Sequence, residues 1–218
     1  MTTRLLVATT NPDKLREISA LLADAPVELV GLDALPPIEE PEETGQTFQA
    51  NAALKALHYD RAASAIRRKL QVVAAMDSSF NVRRTTNLVV AEDSGLVIDA
   101  LDGEPGVRSA RFLRPDASYP ERFAEIFRRL DARPGRPRTA RFVCALAVVR
   151  DGSVVFETTG TVEGEIARAP RGNAGFGYDP IFYYPPYGST LAEVDEDEKL
   201  RVAHRGEAFR SLAKWLRK

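Results

Sequence analysis

The stretch Val90–Phe112 reads VAEDSGLVIDALDGEPGVRSARF. An apolar run ends in two adjacent acids, Glu92 and Asp93, and Ser94-Gly95 follow before a second β-branched run starts at Leu96. The pattern predicts two buried strands, 88–92 and 96–100, on either side of a turn at Asp93-Ser94-Gly95. Adjacent carboxylates at the end of a buried strand are costly to desolvate unless positive charge meets them. A divalent metal carrying a phosphate is the usual partner for such acids. The segment therefore points to metal-assisted phosphate chemistry.

Upstream, Arg4–Ala8 reads as a short buried strand, followed by Thr9-Thr10-Asn11-Pro12. Asn11 suits an N-cap and Pro12 the first helical position, so a helix is predicted through KLREISALL. Val27–Leu32 is a second strand, and 33–45 is an acidic, proline-rich loop. A long helix is expected from near Thr47. Residues 69–86 extend this helix or form a loop or added hairpin.

Downstream, Ser118-Tyr119-Pro120-Glu121 matches a capping box ahead of the helix ERFAEIFRRL. Two β-rich runs, 138–150 and 153–162, are joined by Asp151-Gly152, a hairpin signal. Arg171–Asp179 is a glycine-rich loop before a short strand at 180–184. A C-terminal helix closes the chain. Helices and strands alternate without strict βαβ repetition. The expected fold is α/β in the mixed α+β sense, with a long mixed β-sheet flanked by helices.

The 218 residues fit one large domain or two small lobes. A net charge of −1 argues against a protein that coats nucleic acid. Cys144 is the single cysteine, which excludes an intramolecular disulfide and a cysteine-based zinc site. It lies in the run FVCALAVV and reads as a small buried hydrophobe. The first residues carry too short an apolar run for a secretory signal, and no apolar stretch is long enough for a bilayer span. A cytoplasmic location without membrane or nucleic-acid partners is expected.

Thr9–Lys14 joins a strand to a helix start, a geometry that offers N–H groups to an anion. Capping alone also accounts for Asn11-Pro12. Glu42 and Glu43 lie on the loop leading to Thr47. Alone they read as a solvated acidic loop, but together with Asp93 they could supply a magnesium shell. Asn51 and Lys55 lie one turn apart and share a helix face. In the glycine-rich loop, Phe176 or Tyr178 could stack on a flat base. His204 and Arg205 can both donate to a carbonyl oxygen, which would accept a 6-oxo purine and disfavour a 6-amino one.

In this order, ATTNPDK, ETGQTF, AEDSGL, GEPGVRSARF, GFGYDPIF and HRG make the chain resemble the inosine triphosphate pyrophosphatase family over nearly its whole length. The resemblance implies a central active-site cleft between two lobes, a homodimer, and Mg2+-dependent cleavage of ITP, dITP or XTP to the monophosphate and pyrophosphate. It gives Asp93 a metal-binding and proton-accepting role and makes Glu43 the second metal acid, with Glu42 as contender. It gives phosphate and sugar contacts to Thr9, Thr10, Asn11, Lys14, Lys55, Ser94 and Lys199, with Asn51 beside them. It places Phe176, Gly177, Tyr178, Asp179, His204 and Arg205 at the base. It also implies that residues 69–86 are an insertion. A nucleotide-binding or sensing module without turnover is the competing expectation.

Overall fold

The computed structural model describes residues 3–76 and 87–218. Seven strands form one mixed sheet flanked by helices, in the order β2-β1-β3-β4-β5-β6-β7. β1 (Thr3–Val7) pairs in parallel with β2 (Val27–Gly31) and with β3 (Asn87–Ile98). β5 (Ser153–Ile166), β6 (Phe182–Tyr184) and β7 (Ser189–Thr190) pair antiparallel. β4 (Thr139–Arg150) leads into β5 through Asp151-Gly152 alone. Both turn residues have positive φ, 50° and 79°, the backbone sense that matches strand twist in a two-residue hairpin.

β3 differs from the expectation of two strands and a turn. It runs unbroken for twelve residues through Asp93-Ser94-Gly95. Residues 88–93, 95 and 96 are all buried, so the strand is covered on both faces and carries apolar residues in succession rather than in alternation. Gly95 marks no turn here.

The chain divides into two compact units. One comprises Met1–Asp93, Ala145–Thr158 and Phe209–Lys218; the other comprises Ser94–Cys144 and Thr159–Ala208. In the first, α1 (Pro12–Leu21) starts as predicted, with the Asn11 side chain accepting from the Asp13 and Lys14 amides and Pro12 at the first turn. α2 (Phe48–Met76) buries Phe48, Ala52, Ala56, Tyr59 and Ala63, a stripe spaced three to four residues apart. It thus includes 69–76 of the expected insertion, and 77–86 lie outside the described residues.

In the second unit, α3 (Tyr119–Asp131) carries the predicted capping box between Ser118 and Glu121. The charged segment before the C-terminal helix forms α4 (Glu196–Val202), and α5 (His204–Leu216) follows, its residues from Phe209 onward belonging to the first unit. The core of this unit gathers Leu96, Ile98, Phe123, Ile126, Phe142, Ile181, Phe182 and their neighbours. Cys144 is fully buried, as its apolar run implied. Among the described residues, no helix is long and apolar enough to cross a membrane.

Candidate active site

Within the first unit, two acids that are neighbours in β3 each meet a lysine. The Glu92 carboxylate, 2% exposed, lies 2.5 Å from Lys14 Nζ on α1. Asp93 Oδ1 lies 3.4 Å from Lys55 Nζ on α2. Each of the two acids thus has an ammonium group as a partner.

Lys55 also reaches Glu43 Oε1 at 2.8 Å, so Glu43 and Asp93 converge on one cationic point. Asn51 Nδ2 donates to Asp93 Oδ2 at 3.0 Å, and Asn51 Oδ1 accepts from the Gly45 amide at 2.8 Å. This carboxamide ties the loop carrying Glu43 to the acid at the strand. Gly45 must be glycine for this contact, because a Cβ there would stand 2.5 Å from Asn51 Oδ1. Burial raises the Asp93 carboxyl above its ordinary range, with Lys55, Asn51 and Lys14 opposing the rise and Glu43 adding to it. Burial works against the charged form of Lys55, yet the Asp93 charge and the Glu43 hydrogen bond outweigh it and hold Lys55 above its usual value.

The contacts separate the two contending glutamates. Glu43 is on Lys55, whereas Glu42 is exposed to solvent. The turn before α1 is closed by its own side chains. Thr9 Oγ1 accepts from the Asn11 amide at 3.2 Å, and Thr10 Oγ1 donates to Glu40 Oε1 at 2.5 Å. Glu40 was not singled out in the sequence, where it is one acid among several in a polar loop.

The second unit holds another cluster. Lys199 Nζ lies 2.7 Å from Asp179 Oδ2, and both side chains are almost fully buried. The same carboxylate accepts from the Phe176 amide at 3.0 Å. Lys199 Nζ stands 4.8 Å and the Arg205 guanidinium 5.5 Å from the Phe176 ring centre, which the ring quadrupole favours. Arg205 Nη2 also donates to Ser94 Oγ at 3.2 Å. Gly175 (φ +69°) passes so close that a Cβ would lie 2.2 Å from Asp179 Oδ2, so glycine is required by both conformation and space.

His204 stacks on Phe142, which stacks on Phe182, with ring centres 4.9 and 4.4 Å apart. Phe142 was not read from the sequence as part of a site; its alternation in RFVCALAVV marks only an inward-facing strand residue. Gly160 lets β5 approach the start of α5, since a Cβ there would sit 2.1 Å from the His204 carbonyl.

Tyr178 departs from the expected stacking role. It is 4% exposed, donates its hydroxyl to the Ser109 carbonyl at 2.8 Å and packs edge-on against Tyr119. Burial pushes its phenol well above the usual value. Its ring belongs to the core, which leaves half-buried Phe176 as the loop's available aromatic face. Gly177 supplies a positive φ of 69° between them. Asp179 anchors the loop and Lys199.

The donor set at Glu43 and Asp93 fits a hard divalent cation. Both are carboxylates, both already face one cationic point, and Mg2+ commonly takes one or two protein carboxylates plus phosphate oxygens and water. No group of three or more histidine, cysteine, aspartate or glutamate side chains is arranged to hold a metal among the described residues.

These features define a class: a mixed α/β protein with a carboxylate–lysine centre on its sheet and a glycine-rich loop clamped by cations. The Ham1 family profile matches residues 5–215, and the chain belongs to that family. It is 43% identical over 208 residues to a dITP/XTP pyrophosphatase of Geobacillus kaustophilus, covering 95% of this chain and 91% of the relative. A dITP/XTP pyrophosphatase of Halalkalibacterium halodurans is 39% identical, with 97% of each chain covered. Among solved structures, a HAM1 protein from Coxiella burnetii superposes with a TM-score of 0.78 at 36% identity, covering 99% of this chain and 98% of that one.

Proposed function

We propose that this chain is a Mg2+-dependent pyrophosphatase of non-standard purine nucleoside triphosphates such as ITP, dITP and XTP. The observation that carries the reading is the convergence of Glu43 and Asp93 on Lys55, in a chain about 40% identical along nearly its full length to relatives named for this activity. Glu43 and Asp93 would hold the ion. Bound Mg2+ neutralises phosphate charge and polarises the phosphorus centre.

The chain's own groups supply the rest. Asp93 takes the proton of the attacking water, and its raised carboxyl makes it a better acceptor than a free aspartate. The water oxygen bonds to phosphorus as the bond between the α- and β-phosphates breaks, giving the monophosphate and pyrophosphate. Lys55 and Lys14 stabilise charge on the phosphate oxygens. Phe176 offers its ring to the base, and His204 and Arg205 donate to a 6-oxo group. A 6-amino base leaves these donors unmatched, which is the physical source of discrimination.

A homodimer acting in the cytoplasm belongs to the same proposal and rests on the family resemblance. Pyrophosphate release from a panel of ITP, dITP, XTP, ATP and GTP, with and without Mg2+, tests the reading. It predicts Mg2+-dependent release from the first three, slow release from ATP because of its 6-amino group, and, on the family resemblance rather than on the 6-position, slow release from GTP. A nucleotide-binding module would bind ITP and release nothing.

A further inference from the structure

We infer that Lys55 is a placeholder for the divalent cation, holding the metal-binding carboxylates in position before the ion arrives and lowering the protein's affinity for the ion on its own. This rests on the reading of Glu43 and Asp93 as metal ligands and goes beyond it. The Lys55 ammonium sits 2.8 Å from Glu43 and 3.4 Å from Asp93, with 14% of its side chain exposed. Glu43 comes from a loop and Asp93 from a central strand, so nothing in the secondary structure itself forces them together. Two carboxylates facing one point repel each other, and a buried charge left unpaired is costly. Lys55 removes both penalties, and Asn51 fixes the second Asp93 oxygen.

The same contact makes the ammonium a competitor. A divalent ion that takes the two carboxylates must displace Lys55 from at least one of them and then lie near a like charge. A nucleoside triphosphate relieves this, because its phosphate oxygens offer Lys55 another partner. Lys55 thereby links ion binding to substrate binding: the ion alone binds weakly, and the ion with a polyphosphate binds well.

The test is calorimetric titration of nucleotide-free protein with Mn2+, comparing wild type, Lys55→Gln and Lys55→Arg. Lys55→Gln should bind Mn2+ at least about tenfold more tightly than wild type, the scale set by removing one unit charge a few ångströms from the ion. Lys55→Arg, which keeps the charge, should stay near wild type. Adding the non-hydrolysed analogue imidotriphosphate should tighten Mn2+ binding to wild type and much less to Lys55→Gln.

Unchanged or weaker Mn2+ binding by Lys55→Gln overturns the placeholder role. If Lys55→Gln is too unstable to titrate, its melting temperature is read instead: Mn2+ should raise it more than it raises that of wild type, and an equal or smaller rise overturns the role. These readouts are independent of turnover. Absence of pyrophosphate release by wild type would overturn the proposed activity, whereas unchanged ion affinity with normal release overturns only the placeholder.

Discussion

Lys14 Nζ lies 2.5 Å from Glu92 Oε1, and the glutamate side chain is 2% exposed while the lysine is 21% exposed. The pair is thus asymmetric: the acid depends on the lysine more than the lysine on the acid. Lys14→Met leaves the buried carboxylate without its ammonium and should cost about 3 kcal/mol in chemical denaturation. The double variant Lys14→Met/Glu92→Met should recover much of that loss. A double-mutant cycle measures the coupling, and strict additivity would contradict the asymmetry.

Asp93 is a buried acid on β3. Its carboxyl is raised mainly by burial, so the folded state favours the protonated form more than the unfolded state does. Its contribution is most favourable below the unfolded pKa and is lost as pH rises through the raised folded value. Asp93→Asn, which stays neutral, should therefore be more stable than wild type at pH 7 when both are melted in a chelator. The gain should vanish below the ordinary aspartate range. The same variant should lose at least about 100-fold in turnover, as expected on removing a general base.

Glu121 shows the opposite sign. A hydrogen bond from Arg114, with further bonds from the Ser118 amide and hydroxyl, lowers its carboxyl to about 2. Its stabilising effect is present above the unfolded value near 4.5 and fades as pH falls toward 2. Melting curves of wild type and Glu121→Gln should differ at pH 7 and converge near the lower limit. A constant difference across that range would show that the charge is irrelevant to the cap.

Gly175→Ala tests the second cluster. The new Cβ would strike the Asp179 carboxylate in a backbone region that alanine disfavours, so the Asp179–Lys199 pair must shift. The expected cost is about 1–3 kcal/mol in stability. If Phe176 and its cations hold the base, KM for ITP should rise more than kcat falls.

Much of the fold was legible because local chemistry agreed with it. Asn11-Pro12, the Ser118–Glu121 box and Asp151-Gly152 each specify a backbone geometry through their own atoms, and each formed as predicted. β3 was misread because Ser94-Gly95 is a turn signal only where the chain is free to turn. A strand buried on both faces overrides it. Asn51 and Lys55 were legible as one helix face, and the structure brings them to Asp93. The contact of Glu43, rather than Glu42, with Lys55 was not, because it depends on which carboxylate the loop turns toward a helix twelve residues on. Tyr178 and Phe176 were equivalent in sequence; only burial in the α3 core separates them.

Phosphorus NMR of ITP incubated with the protein and Mg2+ tests the central claim most directly. The account predicts IMP and pyrophosphate appearing together, no inosine diphosphate or free phosphate, and no reaction when Glu43→Gln and Asp93→Asn are combined. Release of free phosphate with inosine diphosphate, or wild-type rates from the doubly substituted protein, would contradict it.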